Sequence, residues 1–106
     1  MKVINQHIEQ IVKLCELNKV RALFAFGSVT TDKFRADSDI DLVVDIDDSD
    51  PISYSDKYFN IKFQLEEIFK RQIDLLEQKA IRNRFLKSEI DRTKVQIYGK
   101  GSANLA

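Results

Sequence analysis

A chain of 106 residues holds one hydrophobic core and leaves no room for a catalytic domain beside a separate substrate domain, so a single domain over residues 1–99 with a flexible tail over 100–106 is expected. Lys and Arg number 17 against 17 Asp and Glu, with 43% hydrophobic residues, a balance that argues against a disordered chain, a basic nucleic-acid tail or strong non-specific nucleic-acid binding. The lone Cys15 excludes an internal disulfide framework or zinc cluster, and neither an apolar run of roughly 18 residues nor a signal pattern is present, so a reducing cytoplasm and no membrane are expected.

Ile4, Ile8, Ile11 and Cys15, with Val12 beside them, recur at helical spacing and predict an amphipathic first helix ending near Asn18. His7 lies one position off that apolar face and reads as a surface or boundary residue, Cys15 as a small buried apolar side chain. Val20 to Phe26 is a short apolar run stopped by Gly27, the pattern of a largely buried strand. Positions 29 to 38 are polar and support nothing longer than a helical turn. Asp39 to Ile46 returns to strand, with Ile40, Leu42 and Val44 on one face and Asp39, Asp41 and Val43 on a wet, acidic other face.

Asp45, Asp47, Asp48 and Asp50 crowd the exit of that strand ahead of Pro51, which reads as a solvated helix start favoured by the helix dipole. Tyr54, Tyr58, Ile61, Leu65 and Ile68 then step by three and four, giving a long helix to about Lys70. Its aromatic residues Tyr58, Phe59 and Phe63 exceed what one face can bury, and serve either as core or as a docking surface. Gln72 to Glu77 is a third strand with Asp74 facing away from Ile73 and Leu75. A basic helical stretch with Arg82, Arg84 and Lys87 follows, then a short strand from Val95 to Tyr98. The order predicts an α+β (α/β-like) fold, a small mixed sheet covered by helices.

Two carboxylates flanking one strand residue share a face, roughly 6.5 Å apart along the backbone, and can close on a divalent cation. Asp-x-Asp alone is weak evidence in a chain with 11 Asp, since Asp37-Ser38-Asp39 and Asp45-Ile46-Asp47 also occur. The order is what carries weight: apolar strand, Gly27-Ser28, a polar decade, Asp39-Ile40-Asp41, and later an isolated Asp74 between Ile73 and Leu75. Gly-Ser at a strand end leaves N–H groups and a hydroxyl for phosphate. If the first three strands are neighbours, three carboxylates converge, an arrangement that two Mg²⁺ ions would neutralise while activating an attacking hydroxyl. Asp39 and Asp41 would hold both ions; Asp74 would hold one and could take the hydroxyl proton.

Phe26-Gly27-Ser28, Ser38-Asp39-Ile40-Asp41-Leu42 and Ile73-Asp74-Leu75 resemble the minimal (MNT-type) nucleotidyltransferases of the DNA polymerase beta superfamily, a likeness that runs to Ile97-Tyr98-Gly99 and includes Asn83. The resemblance implies a nucleotidyltransferase fold, phosphate binding by Ser28 beside Gly27, Mg²⁺ on Asp39 and Asp41, Asp74 as third carboxylate, and ATP as nucleotide. Many relatives carry Arg-Gly soon after Gly-Ser where this chain has Thr31-Asp32, which leaves Lys33 and Arg35 as candidate phosphate cations. Similar small proteins are antitoxins encoded beside a helical HEPN toxin, and the resemblance implies transfer of AMP to a tyrosine hydroxyl of that toxin. Size agrees, because about one hundred residues supply the nucleotide half of a transferase and little to hold an acceptor. Two alternatives stay open: a non-catalytic antitoxin that neutralises its partner by occlusion, and transfer to a small-molecule hydroxyl with a partner or second copy completing the pocket.

Overall fold

A computed structural model of the protein describes residues 1–99; the tail expected over 100–106 lies outside the described residues. In chain order the elements are α1 (Lys2–Asn5), α2 (Ile8–Leu17), β1 (Val20–Phe26), β2 (Ile40–Ile46), α3 (Pro51–Phe69), β3 (Ile73–Glu77), α4 (Arg84–Thr93) and β4 (Val95–Gly99), with one-turn 3₁₀ helices at Gly27–Thr30 and Gln78–Ala80. The strands form one mixed sheet in the order β3-β2-β1-β4, with β1 antiparallel to both β2 and β4, and β2 parallel to β3. The α+β architecture is therefore as expected, and the first three strands are neighbours.

The expected first helix is broken. Gln6 and His7 separate α1 from α2, and His7 has left helical geometry at φ −120° to sit ahead of α2 with its ring edge on Phe69, 5.5 Å between centroids. Spacing alone could not show the break, since Ile4 and Ile11 remain buried in the same core across it.

One sheet face, bearing Leu23, Ala25, Ile40, Leu42, Val44, Ile73 and Leu75, packs under α2 and α3 through Ile11, Leu14, Cys15, Tyr54, Ile61 and Leu65. This is the main core, and it follows from strand alternation meeting two helical stripes. Asp50 caps α3, its carboxylate accepting from the Ser53 N–H at 2.8 Å, with Pro51 in the first turn. Asp48 accepts from Lys57 Nζ at 2.7 Å, so Asp48 and Asp50 serve the helix start as expected, whereas Asp45 and Asp47 pair with Arg21 of β1.

The opposite face corrects the expectation of a wholly wet, acidic surface. Val43 is 2% exposed, and with Phe26 and Ile90 it forms a second, smaller core closed by α4 and flanked by Phe24, Leu76, Ile81 and Leu86. At one end of that face Asp41 is half-buried and Asp74 exposed.

Side chains of α3 also finish the outer margin of β3. Lys62 Nζ donates to the Ile73 carbonyl at 3.0 Å, the Tyr58 hydroxyl to the Leu75 carbonyl at 2.6 Å, and the Ile73 N–H to Glu66 Oε2 at 3.4 Å. Edge-strand groups left bare would template pairing with another chain, and here three of them are occupied. No helix among the described residues is long and apolar enough to cross a membrane.

Candidate active site

Asp41 and Asp74 are direct partners in the parallel β2–β3 ladder, and Phe26 is the partner of Asp41 on β1. In-register neighbours on adjacent strands point the same way, so both carboxylates leave the sheet on the α4 side. Asp39 stands just before β2. The C-terminal end of β1, with its turn at Gly27–Thr30, and the N-terminal ends of β2 and β3 thus bring Gly27, Ser28, Asp39, Asp41 and Asp74 to one end of the sheet.

The electrostatics agree with that convergence. Asp41 is half-buried, and its carboxyl is pushed from 3.8 up to about 6, first by burial, then by the charge of Asp74, then by that of Asp39. Repulsion of this kind is what a divalent cation removes. The donor set is all carboxylate oxygen, the preference of a hard cation such as Mg²⁺. Among the described residues, no three His, Cys, Asp or Glu side chains form a ready-made cage for a metal ion. Mg²⁺ usually keeps several waters and takes substrate oxygens beside one or two carboxylates, so its binding does not call for a complete cage of protein ligands.

Gly27 is fixed to glycine for two reasons. It adopts φ +71°, and a Cβ built on it would stand 2.9 Å from Asp41 Oδ2. Its carbonyl accepts from Thr30 Oγ1 at 2.8 Å, and the Ser28 carbonyl accepts from both the N–H and the hydroxyl of Thr31 at 2.9 Å. One expectation fails here: the Gly27 N–H is not free, because it donates to Thr93 Oγ1 at 3.0 Å. The Ser28 hydroxyl, half-buried, is left without a hydrogen bond among the described residues.

Lys33 and Arg35 lie in the exposed stretch 31–38, neither forming an ion pair among the described residues. Asp32 lines a shallow groove of about 440 Å³ against Met1, Lys2 and Gln6, on the α1 side of the turn. Asn83 caps α4, accepting from the Leu86 N–H at 3.0 Å. Two residues that sequence reasoning did not single out shape the site. Arg71 donates to the Ser38 carbonyl at 2.8 Å and the Arg35 carbonyl at 3.3 Å while its guanidinium lies 4.8 Å from the centre of the Phe34 ring, fastening the segment that delivers Asp39. Thr93 is the other. A half-buried arginine after a helix and a threonine in a last helical turn carry no motif, so only their tertiary contacts reveal them.

The family model described as Polymerase beta, Nucleotidyltransferase matches residues 9–103. A protein of Methanocaldococcus jannaschii, provisionally named a protein adenylyltransferase, is 30% identical over 79 residues, 74% of this chain and 78% of its own. Two solved structures share the fold: a toxin–antitoxin with AMP-PNP (TM-score 0.68, 23% identity, 88% of this chain and 73% of that one), and an MNT antitoxin in complex with a tri-AMPylated HEPN toxin from Shewanella oneidensis (TM-score 0.62, 21% identity, 91% and 72%).

Proposed function

Because the chain belongs to the Polymerase beta nucleotidyltransferase family, we propose that it transfers AMP from ATP to a tyrosine hydroxyl of a helical HEPN-type partner, acting as that partner's antitoxin. The observation that carries this reading is the in-register pairing of Asp41 with Asp74 beside Asp39 and the Gly27-Ser28 turn. The names of the relatives, which include a protein adenylyltransferase and an AMPylated HEPN toxin, support the acceptor class. The size of the chain supports a partner-borne acceptor.

In this reading Asp39, Asp41 and Asp74 hold Mg²⁺ together with the triphosphate; the bound ions would offset the phosphate charge and lower the pKa of the attacking hydroxyl. Ser28 orients the triphosphate through its uncommitted hydroxyl, and Lys33 and Arg35 supply positive charge. The acceptor oxygen bonds to the α-phosphorus as the bond to the β-phosphate oxygen breaks, pyrophosphate leaves, and Asp74 accepts the hydroxyl proton. The half-exposed stacked rings of Phe59 and Phe63, 5.9 Å between centroids, and the exposed Ile52 give the partner an apolar face of α3 to rest on.

The test is mass spectrometry of the purified partner after incubation with this protein, ATP and Mg²⁺. A gain of about 329 Da per AMP on a tyrosine, abolished by Asp41→Asn, is expected. Neutralisation of the partner without any adduct, unchanged in Asp41→Asn, would replace catalysis by occlusion, and label found only on a small molecule would remove the protein acceptor.

A further inference from the structure

The Gly27 peptide is held by a residue 66 positions away. Its N–H donates to Thr93 Oγ1 at 3.0 Å, and the Thr93 hydroxyl donates in turn to the Glu89 carbonyl at 2.9 Å. The hydroxyl proton is thereby committed to α4, leaving a lone pair aimed at Gly27. Immediately after Thr93 and Lys94 the chain enters β4, where Val95 pairs with Ala25 of β1. The end of α4 is therefore fixed relative to the strand that carries Gly27, and Thr93 can act as a stationary anchor.

Glycine populates left-handed and ordinary backbone wells about equally, so nothing intrinsic to Gly27 keeps it at φ +71°. Yet the turn depends on that conformation, since it sets Gly27 against Asp41 Oδ2 and fixes how Ser28 follows. We propose that Thr93 is a positioning residue for nucleotidyl transfer: through the Gly27 N–H it locks the turn in the conformation that seats Asp41 and presents Ser28 to the triphosphate. The inference rests on the AMP-transfer reading above and adds to it the device that sets its geometry. It also gives the trapped N–H a role, because a Gly27 amide turned outward to phosphate would carry the turn away from Asp41.

Thr93→Val keeps the branched shape and removes the acceptor, whereas Thr93→Ser keeps the hydroxyl. Two readouts separate this idea from the one beneath it: hydrogen exchange of the Gly27 amide by NMR in the substrate-free protein, and kcat and KM for ATP in AMP transfer to the purified partner. In Thr93→Val the Gly27 amide should exchange about tenfold faster or more and kcat should fall by about tenfold or more, with KM for ATP within about threefold and Thr93→Ser close to the parent in both. Unchanged Gly27 exchange in Thr93→Val, an unchanged kcat, or a Thr93→Ser variant as impaired as Thr93→Val would overturn the proposal. A parent protein that protects Gly27 but transfers no AMP would instead overturn the catalytic reading, and this role for Thr93 with it.

Discussion

Replacing Asp74 by Asn should make the metal-free protein more stable while abolishing transfer. The folded state pushes the Asp41 carboxyl from 3.8 up to about 6, with burial the largest cause and the Asp74 charge the second. A carboxyl whose pKa is higher folded than unfolded holds its proton more tightly in the folded state. Its ionisation therefore costs stability, which is intact below about pH 4 and is lost as pH rises through 6. At full effect the shift corresponds to about 3 kcal/mol. Asp41 is only half-buried and screened by water, and Asp74 supplies less than the burial does, so removing the Asp74 charge should restore about 0.5–1 kcal/mol above pH 7. For a domain of this size that is a rise in Tm of about 2–6 °C. The assay is thermal unfolding of parent and Asp74→Asn in EDTA at pH 8 and pH 4.5. A gain at pH 8 that disappears at pH 4.5, where Asp41 is protonated in the folded state, is expected. No gain at pH 8, or an equal gain at both values, would mean that the two carboxylates do not repel each other and that the clustered-acid site is wrong.

Gly27→Ala should lose about 100-fold or more in kcat and about 1–2 kcal/mol in stability, because the new methyl meets Asp41 Oδ2 at 2.9 Å in a left-handed backbone. Steady-state kinetics and urea titration measure both, and a fully active alanine variant would contradict the close approach. Arg71→Met keeps the aliphatic stem against Phe34 and removes the donors to Arg35 and Ser38. It should lower kcat about three- to tenfold with less than about 1 kcal/mol lost in stability, and proteolysis within 31–38 should quicken, whereas unchanged protection would show that the segment holds without it.

Much of the site was legible because acids inside apolar strands have few structural uses. Asp41 between Ile40 and Leu42, and Asp74 between Ile73 and Leu75, could each face only away from the core, and strand adjacency did the rest. The long α3 was legible for the same kind of reason, its buried Tyr54, Ile61, Leu65 and Phe69 following one stripe. What escaped depended on contacts distant in sequence. Val43 looked wet because its neighbours on β2 are acidic, and only α4, supplying Ile90, makes it core. The break at Gln6–His7 left the apolar spacing undisturbed. The Gly27 N–H appeared free because its acceptor, Thr93, belongs to another element altogether. Phe59 and Phe63, readable as core or surface, are half-exposed, while Tyr58 packs inward with its hydroxyl on β3.

The fringe of hydrogen bonds from Tyr58, Lys62 and Glu66 along the outermost strand restricts how an acceptor can arrive. Asp74 lies on that strand, and an extended peptide approaching its outer edge would find the Ile73 N–H and C=O and the Leu75 C=O already taken. In the transfer proposed above, the acceptor hydroxyl would instead reach the acids over the end of the sheet face, projected from a helix or loop of whatever bears it. Such delivery favours an acceptor whose own scaffold is already folded when it meets the acids.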